Sequence, residues 1–297
     1  MTRSAVKKRA AISTALMMVA TGLMLVLTPS PTSAGIGPPL TEVSIDDDRM
    51  ITMTTTLPPG VNAFHIVSTK NSAFQLAIRA PGYTKKELAS DVNATFGDND
   101  MKALKRFEKN TDFLGGNLSA PDDDAMMSAY LPPDLTGTLM AVDTGARKFR
   151  AGKILDLALA GDEATVAAPY DATLRTKGDT TWVRRPATIP REGTLRFVNG
   201  ATQNHFVVLV KLRKGKTYDD WKAWVRKTMK GERARPPVTF RVGLDSGVLS
   251  PSREMTFDYS LPKGNYVLTC FWPDATMQGM PHAFMGMSRP IKLVAGG

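Results

Sequence analysis

The sequence predicts an all-β protein built from two tandem Greek-key β-sandwiches, each with one inserted helix. Three observations lead to this prediction: short segments in which apolar and polar residues alternate, tight turns between those segments, and a pattern that recurs once along the chain. Alternation with a period of two is typical of strands that bury one face. Two sheets packed face to face bury such strands against each other.

The second half of the chain shows the strand pattern most clearly. Over residues 255–261, Met, Phe, Tyr and Leu alternate with Thr, Asp and Ser, and Tyr266 and Cys270 fall on one face of the next segment. The Pro-Lys-Gly sequence at 262–264 predicts a turn between these two strands. The run 206–210 is almost wholly apolar, which predicts a strand buried on both faces.

Five short matches recur in the same order in the two halves, and they predict an internal repeat. The matched segments begin at Asn71 and Asn204, Thr84 and Thr217, Gly116 and Gly247, Leu131 and Leu261, and Gly137 and Gly264. Thr84 and Thr217 each begin a capping-box pattern, which places a helix at the same point of each copy. We expect matched apolar positions, such as Leu131 and Leu261, to lie in the core.

The first 34 residues are predicted to be a signal peptide. Basic residues at the start are followed by an apolar run over about 10–27 and by small residues up to Ala34, a pattern that a signal peptidase cleaves. We therefore expect a secreted, extracytoplasmic protein with one sandwich over 41–160 and a second over 164–294. Contact with a membrane is expected only if the leader is retained as an anchor.

Basic residues outnumber acidic ones, and the excess is concentrated in one segment. The formal net charge is +10, and removing the four basic residues of the leader leaves +6. The segment 211–235 holds ten Lys or Arg against Asp219, Asp220 and Glu232. Such a segment is usually the solvated side of a helix and its loop, but it can attract an anionic cell-surface polymer or an acidic partner. We expect no nucleic-acid partner.

The sequence lacks the motifs of several classes of protein. A single cysteine, Cys270, excludes an internal disulfide. There is no Gly-x-Ser-x-Gly nucleophile elbow, no phosphate-binding loop and no zinc-binding helix motif. The acidic runs at 46–48 and 122–124 lack the Gly and Glu of a calcium loop. On these grounds we predict that the protein is not an enzyme.

One region of the second half concentrates residue types that bind soft metals. Cys270 ends a predicted strand that begins Gly-Asn-Tyr at 264–266, and the loop after it ends in His-Ala-Phe-Met-Gly-Met at 282–287. An earlier histidine, His205, lies at the start of another strand. These motifs resemble the cupredoxins, the family of plastocyanin and azurin, whose last two strands flank a loop carrying Cys, His and Met in that order.

The resemblance implies a copper site made of His205, Cys270, His282 and Met287. Two imidazoles and one thiolate hold copper in a near-trigonal plane, with a distant thioether on the axis. The implied function is the transfer of single electrons to or from an extracellular redox partner. Eleven residues separate Cys270 from His282, more than in plastocyanin or azurin, so the loop must fold back to bring these two ligands together.

Two other functions fit the same region. Met277, Met280 and Met285 flank His282, and thioethers bind Cu(I), which is typical of an exported Cu(I) chaperone. Alternatively, the second half binds no metal, and the protein is a cell-surface interaction module that uses the basic segment 211–235.

The first copy of the repeat lacks the copper ligands. Ser72 matches His205, and Asp143 matches Cys270. A hydroxyl and a lone carboxylate are poor copper ligands, and His65 is the only histidine of the first half. We therefore predict that the first sandwich holds no copper and serves as a structural or docking copy.

Overall fold

The computed structural model describes residues 37–296, so the predicted leader lies outside the described residues. The described chain is mostly strand and forms one eight-stranded sheet, two five-stranded sheets and one two-stranded ribbon. None of the helices in 37–296 is long and apolar enough to cross a membrane.

The eight-stranded sheet draws strands from both halves of the chain. Its strands are β1 (Leu40–Ile45), β2 (Ile51–Thr52), β4 (Gly60–Ser68), β7 (Ala125–Leu131), β10 (Ala172–Gly178), β11 (Thr181–Trp182), β13 (Glu192–Val198) and β16 (Glu254–Ser260). They lie in the order β11-β10-β13-β16-β7-β4-β1-β2.

Each five-stranded sheet belongs to one half. The first contains β3 (Thr56–Leu57), β5 (Ser72–Arg79), β6 (Thr111–Ser119), β8 (Thr138–Asp143) and β9 (Leu155–Leu159). The second contains β12 (Thr188–Pro190), β14 (Val208–Leu212), β15 (Val238–Asp245), β17 (Gly264–Thr269) and β20 (Ser288–Val294). The orders are β3-β9-β8-β5-β6 and β12-β20-β17-β14-β15, so strands matched in chain order occupy the same positions.

Each five-stranded sheet packs its apolar face against one half of the eight-stranded sheet. In the first half, Phe64 of β4 and Phe74 of β5 face each other with ring centroids 5.9 Å apart, and both are buried. Leu131 and Leu261, which the repeat matches, are also buried, as predicted. The all-β prediction of two sandwiches is therefore confirmed.

The two halves share one sheet, which the sequence analysis did not predict. Strands β7 and β16 pair antiparallel, with Met127 opposite Phe257, so the layers of the two sandwiches form one continuous sheet. These two strands lie at the edges where the halves meet, and pairing them satisfies backbone groups that would otherwise be exposed. The predicted boundary at 161–163 falls between β9 and β10, and the division into two folding units stays a prediction.

Three α-helices complete the fold: α1 (Lys85–Asp98), α2 (Met101–Lys109) and α3 (Tyr218–Met229). Thr84 caps the start of α1 and Thr217 caps the start of α3, each with a capping box, as predicted. Helix α2 was not predicted. The side chain of Asp100 caps it by accepting hydrogen bonds from two backbone N–H groups, so the insertion of the first half contains two helices instead of one.

The segment 247–250 joins the two halves through backbone contacts. The N–H of Gly247 donates to the carbonyl of Gly116 at 2.8 Å, and a Cβ on Gly247 would lie 2.3 Å from the Gly116 Cα. The side-chain amide of Gln75 pairs with both backbone groups of Val248, at 2.7 and 3.0 Å. Glycine at 116 and 247 therefore permits the close approach that fixes the halves together.

Candidate metal centre

His205 lies just before β14 and is held by the segment that joins the two halves. Its backbone N–H donates to the carbonyl of Leu249 at 3.1 Å, and the N–H of Leu249 donates back to the His205 carbonyl at 2.8 Å. The imidazole is fully buried. Its position is therefore set by backbone pairing and not by a mobile loop.

Cys270 lies one residue after the end of β17 and is also fully buried. Burial raises the pKa of its thiol to about 12, while the backbone N–H groups of Phe206 and Trp272 act in the opposite direction. The Trp272 N–H lies 3.4 Å from the sulfur. Two backbone donors aimed at one sulfur stabilise a thiolate once a cation compensates for its burial.

The loop between Cys270 and His282 folds back through a short hairpin. Strand β18 (Pro273–Asp274) pairs with β19 (Met280–Pro281). The N–H of His282 then donates to the carbonyl of Trp272 at 3.0 Å. The eleven intervening residues thus form the hairpin, which brings His282 back beside Cys270.

The structure brings three of the four predicted ligands together. The Nδ1 atoms of His205 and His282 lie 3.1 Å apart, and the Cys270 sulfur lies 3.8 Å from the His282 Nδ1. Ligand atoms of all three residues lie within 4.8 Å of one another. Two nitrogens and one sulfur therefore converge on a single point inside the second sandwich.

Met287, the fourth predicted ligand, is buried beside this group. Its N–H donates to the carbonyl of His282 at 2.9 Å, which closes the 3-10 turn His282–Met285. Its carbonyl accepts a hydrogen bond from the Thr269 hydroxyl at 2.8 Å. The backbone of Met287 is thus fixed between the strand that carries Cys270 and the turn that carries His282.

A polar relay that the sequence analysis missed orients the His282 ring. The Nε2 of His282 lies 2.6 Å from the Gln203 side-chain oxygen, and the Gln203 amide nitrogen donates to Asp274 at 3.2 Å. The Asp274 carboxylate fixes which end of the Gln203 amide is the donor. The Gln203 oxygen therefore accepts from Nε2–H of His282, which leaves Nδ1 of His282 with a lone pair for a metal.

The protonation of the two imidazoles suits a cation between them. Burial lowers the pKa of His205 to about 3 and that of His282 to about 4, so both rings are neutral at pH 7. The Nε2 of His205 is buried with no hydrogen-bond partner among residues 37–296. With the proton of His205 on Nε2, the Nδ1 lone pairs of His205 and His282 face each other 3.1 Å apart. A bound cation stabilises this arrangement.

The chemistry of the donor set favours copper over hard cations. Two neutral imidazoles and one thiolate, with a thioether nearby, suit both oxidation states of copper, whereas hard cations such as Mg²⁺ and Ca²⁺ prefer oxygen ligands. Every donor is buried and held by backbone hydrogen bonds. Copper is the cofactor that these residues fit.

The alternative methionine set is arranged differently. Met277 is exposed, and Met280 and Met285 are half-buried. The His282 ring turns one nitrogen toward His205 and the other toward Gln203. The described contacts of the His282 ring are with His205, Cys270 and Gln203, and the alternative Cu(I) site stays a prediction.

The equivalent positions of the first half contain an ion pair. Asp143 accepts a hydrogen bond from Arg49 at 2.5 Å and others from the N–H groups of Ala73 and Gly145 at 2.9 Å. The Ser72 hydroxyl donates to a backbone carbonyl in its own turn. Asp143 therefore has structural partners where the second half has Cys270.

Trp272 connects the site to the first half, and the sequence analysis missed this role too. Its indole N–H donates to Glu108 of α2 at 2.7 Å. Its ring packs among three aromatic rings of the first half with centroids 5.7 to 6.2 Å away. These rings are Phe96, Phe107 and Phe113. An aromatic residue two positions after the cysteine is the signal in the sequence, but its partners are more than 150 residues away.

Comparison with known proteins gives no family model and no curated protein that matches the chain. Among solved structures, reduced auracyanin from Roseiflexus castenholzii matches 43% of this chain and 99% of its own, at 17% identity and a TM-score of 0.27. The copper-containing nitrite reductase from Thermus scotoductus matches 88% of this chain and 69% of its own, at 11% identity and a TM-score of 0.23. Fet3p, a multicopper oxidase that functions in iron import, matches 88% of this chain and 66% of its own, at 8% identity and a TM-score of 0.24.

The strand topology and the order of the candidate ligands along it together indicate the fold. Strands β17 and β20 flank a loop that carries Cys270, His282 and Met287 in that order, and His205 precedes β14 of the same sheet. The fold is cupredoxin-like. This cupredoxin-like chain carries one buried His–Cys–His group among its described residues, and it lies in the second half.

The prediction that the protein is not an enzyme is corrected by the comparisons. Two of the similar structures are named as a nitrite reductase and a multicopper oxidase, and both names denote enzymes. The motifs used for the prediction belong to hydrolases, phosphate-binding proteins and zinc proteins. Their absence has no bearing on copper enzymes, because copper ligands come from separate strands and loops.

Proposed function

We propose that the protein is exported and binds one copper ion through His205, Cys270, His282 and Met287, and that it transfers single electrons. The observation that carries this proposal is the convergence of the two Nδ1 atoms and the cysteine sulfur at 3.1 and 3.8 Å. Copper in such a site alternates between Cu(I) and Cu(II) and so accepts or donates one electron at a time.

The residues around the site favour a geometry that changes little when the metal changes charge. His205 is held by Leu249, and the turn of His282 is held by Met287 and Trp272. Gln203 keeps the His282 ring oriented through a hydrogen bond to Nε2. Because these contacts lie within packed strands and turns, the ligands need little rearrangement, which favours rapid electron transfer.

The first half is proposed to support the site without binding copper itself. Trp272 inserts between α2 and β6 of the first half, and Gln75 pairs with the segment that holds His205 in place. The matching strand orders of the two five-stranded sheets support an internal repeat as the origin of this arrangement.

The test is a redox titration of the full exported chain loaded with one equivalent of Cu(II). We expect an intense visible band from thiolate-to-copper charge transfer, complete bleaching by one electron per copper, and full recovery on reoxidation. Met277→Leu is the matched control, because Met277 is exposed and outside the buried group, and its titration should equal that of the unmodified chain. Release of copper on reduction, or a band that does not return, would contradict an electron carrier.

A further inference from the structure

Four aromatic side chains connect the segments that carry the metal ligands with helix α3, and two of the four belong to α3 itself. Phe271 follows Cys270 in the chain, and Phe284 lies two residues after His282. The four rings form a closed circuit with centroid distances of 5.1 to 6.5 Å between neighbours. Going around the circuit, they are Phe271, Phe284, Trp224 and Trp221, and we call this group the aromatic bridge.

The aromatic bridge ends beneath a loop at the surface. Trp224 is half-buried, and its indole N–H donates to the carbonyl of Ala234 at 3.1 Å. Ala234 is flanked by Arg233 and Arg235, which are both exposed. The bridge therefore extends from two metal-ligand segments to the backbone between two exposed arginines.

The surface around this point carries unpaired positive charge. Asp219 and Asp220 are occupied by ion pairs with Lys222 and Lys216. Among residues 37–296, six further exposed cations of the segment make no ion pair. They are Lys214, Arg226, Lys227, Lys230, Arg233 and Arg235, and we call them the basic surface. Clustered like charges of this kind raise the local concentration of an oppositely charged partner and speed its association.

We propose that the basic surface is the docking site of an acidic redox protein, and that its electron reaches the copper site through the aromatic bridge. This rests on the proposed function. The partner loses one electron and Cu(II) gains it, with no bond formed or broken and no proton moved. An anionic polymer would need the positive charge alone. Rings spaced 5.1 to 6.5 Å apart that lead from this surface to the metal ligands favour a partner that exchanges electrons.

The test uses the full chain, with an acidic plant-type ferredoxin as the probe. The reduction potential of such a ferredoxin is about −400 mV. The first variant is Arg233→Glu with Arg235→Glu. The matched control is Arg175→Glu with Lys177→Glu, which changes the net charge equally. Both residues are exposed and alternate along β10 with residues that face the core, so they lie on the outer face of the eight-stranded sheet. Helix α3 packs against the five-stranded sheet on the opposite side of the sandwich.

Two readouts are measured at low salt: the rate at which reduced ferredoxin bleaches the copper band, and the Kd of oxidised ferredoxin for the metal-free chain. We expect the Arg233/Arg235 pair to slow association and weaken binding at least about tenfold, and the control pair on β10 less than about twofold. High salt should remove the difference, because exposed charges are screened. Equal effects of the two pairs would overturn the docking surface.

Trp224→Leu tests the route separately. We expect it to lower the electron-transfer rate at saturating ferredoxin. Trp224→Phe loses the same hydrogen bond to Ala234 but keeps a ring, so it should restore most of the rate, and the two variants should have equal Kd values. An unchanged rate in Trp224→Leu would overturn the route. Loss of heparin binding in the arginine pair with unchanged ferredoxin binding would assign the surface to a polymer instead. If the unmodified chain shows no copper band, the proposed function fails and this proposal fails with it, whereas a normal band with no charge effect removes the docking surface alone.

Discussion

Replacing Trp272 by alanine should destabilise the protein more than most substitutions, because this side chain joins the metal-site loop to the first half. The indole is buried and packs against three phenylalanine rings, and truncating a buried Trp to Ala typically costs 3–5 kcal/mol, roughly. The substitution also removes the partner of Glu108, whose pKa burial already raises. A buried polar group left unpaired adds about 1–3 kcal/mol, so we expect a total of about 4–8 kcal/mol.

The assay is urea unfolding of the metal-free chain, followed by tryptophan fluorescence and circular dichroism. Trp272→Phe is the matched variant, since it keeps a ring in the cluster but removes the N–H donor and part of the indole, and it should cost about 1–3 kcal/mol, less than Trp272→Ala. It should also keep the copper band, because the hydrogen bond to the cysteine sulfur comes from the Trp272 backbone. A loss below about 1 kcal/mol in Trp272→Ala, or equal losses in the two variants, would refute the joining role.

Three further outcomes are expected from the geometry of the site. His205 and His282 should each lower the unfolding free energy of the metal-free chain by up to about 1.4 kcal/mol per pH unit as the pH falls from about 6 to 4, because burial holds their pKa values at about 3 and 4 and the unfolded chain binds more protons. Carboxyl groups whose pKa burial raises, such as Glu108 and Asp258, act in the opposite direction. The measurement is therefore urea unfolding of the chain beside His205→Gln with His282→Gln, and an equal pH dependence of the two would contradict this. Copper uptake at pH 7 should release about one proton, which comes from the Cys270 thiol with its raised pKa of about 12. Calorimetry in buffers of different ionisation enthalpy measures the number of protons released. Release of none or of two would be inconsistent with neutral histidines and a protonated thiol. Gln203→Leu removes the acceptor of the His282 Nε2–H and should weaken copper binding about 10–100-fold in a chelator competition, whereas unchanged affinity would show that the relay does not orient the ring.

The fold and the ligand types follow from local features of the sequence. Alternation over 255–261 marks β16, and the capping boxes at Thr84 and Thr217 mark the starts of two helices. The family motif identifies Cys270 and His282 as candidate ligands because the residues of the motif lie close together in the sequence, in one loop and its flanking strands.

Features that depend on distant contacts could not be predicted in this way. The sharing of one sheet depends on the pairing of Met127 with Phe257, and an exposed edge strand looks the same in sequence whether or not it finds a partner. The return of His282 depends on a hairpin of two-residue strands at 273–274 and 280–281, which is too short to show alternation. The role of Gln203 depends on the ring orientation of a residue 79 positions away.

The measurement that tests the central claim most directly is a Cu(II) titration of the purified full chain, read by visible absorption, beside the same titration of Cys270→Ser. The account predicts an intense band that saturates at one copper per chain and is absent from Cys270→Ser, since the buried sulfur lies 3.8 Å from the His282 Nδ1. A chain that stays colourless with copper bound, or a band that survives in Cys270→Ser, would contradict the assignment of His205, Cys270 and His282 as one copper centre.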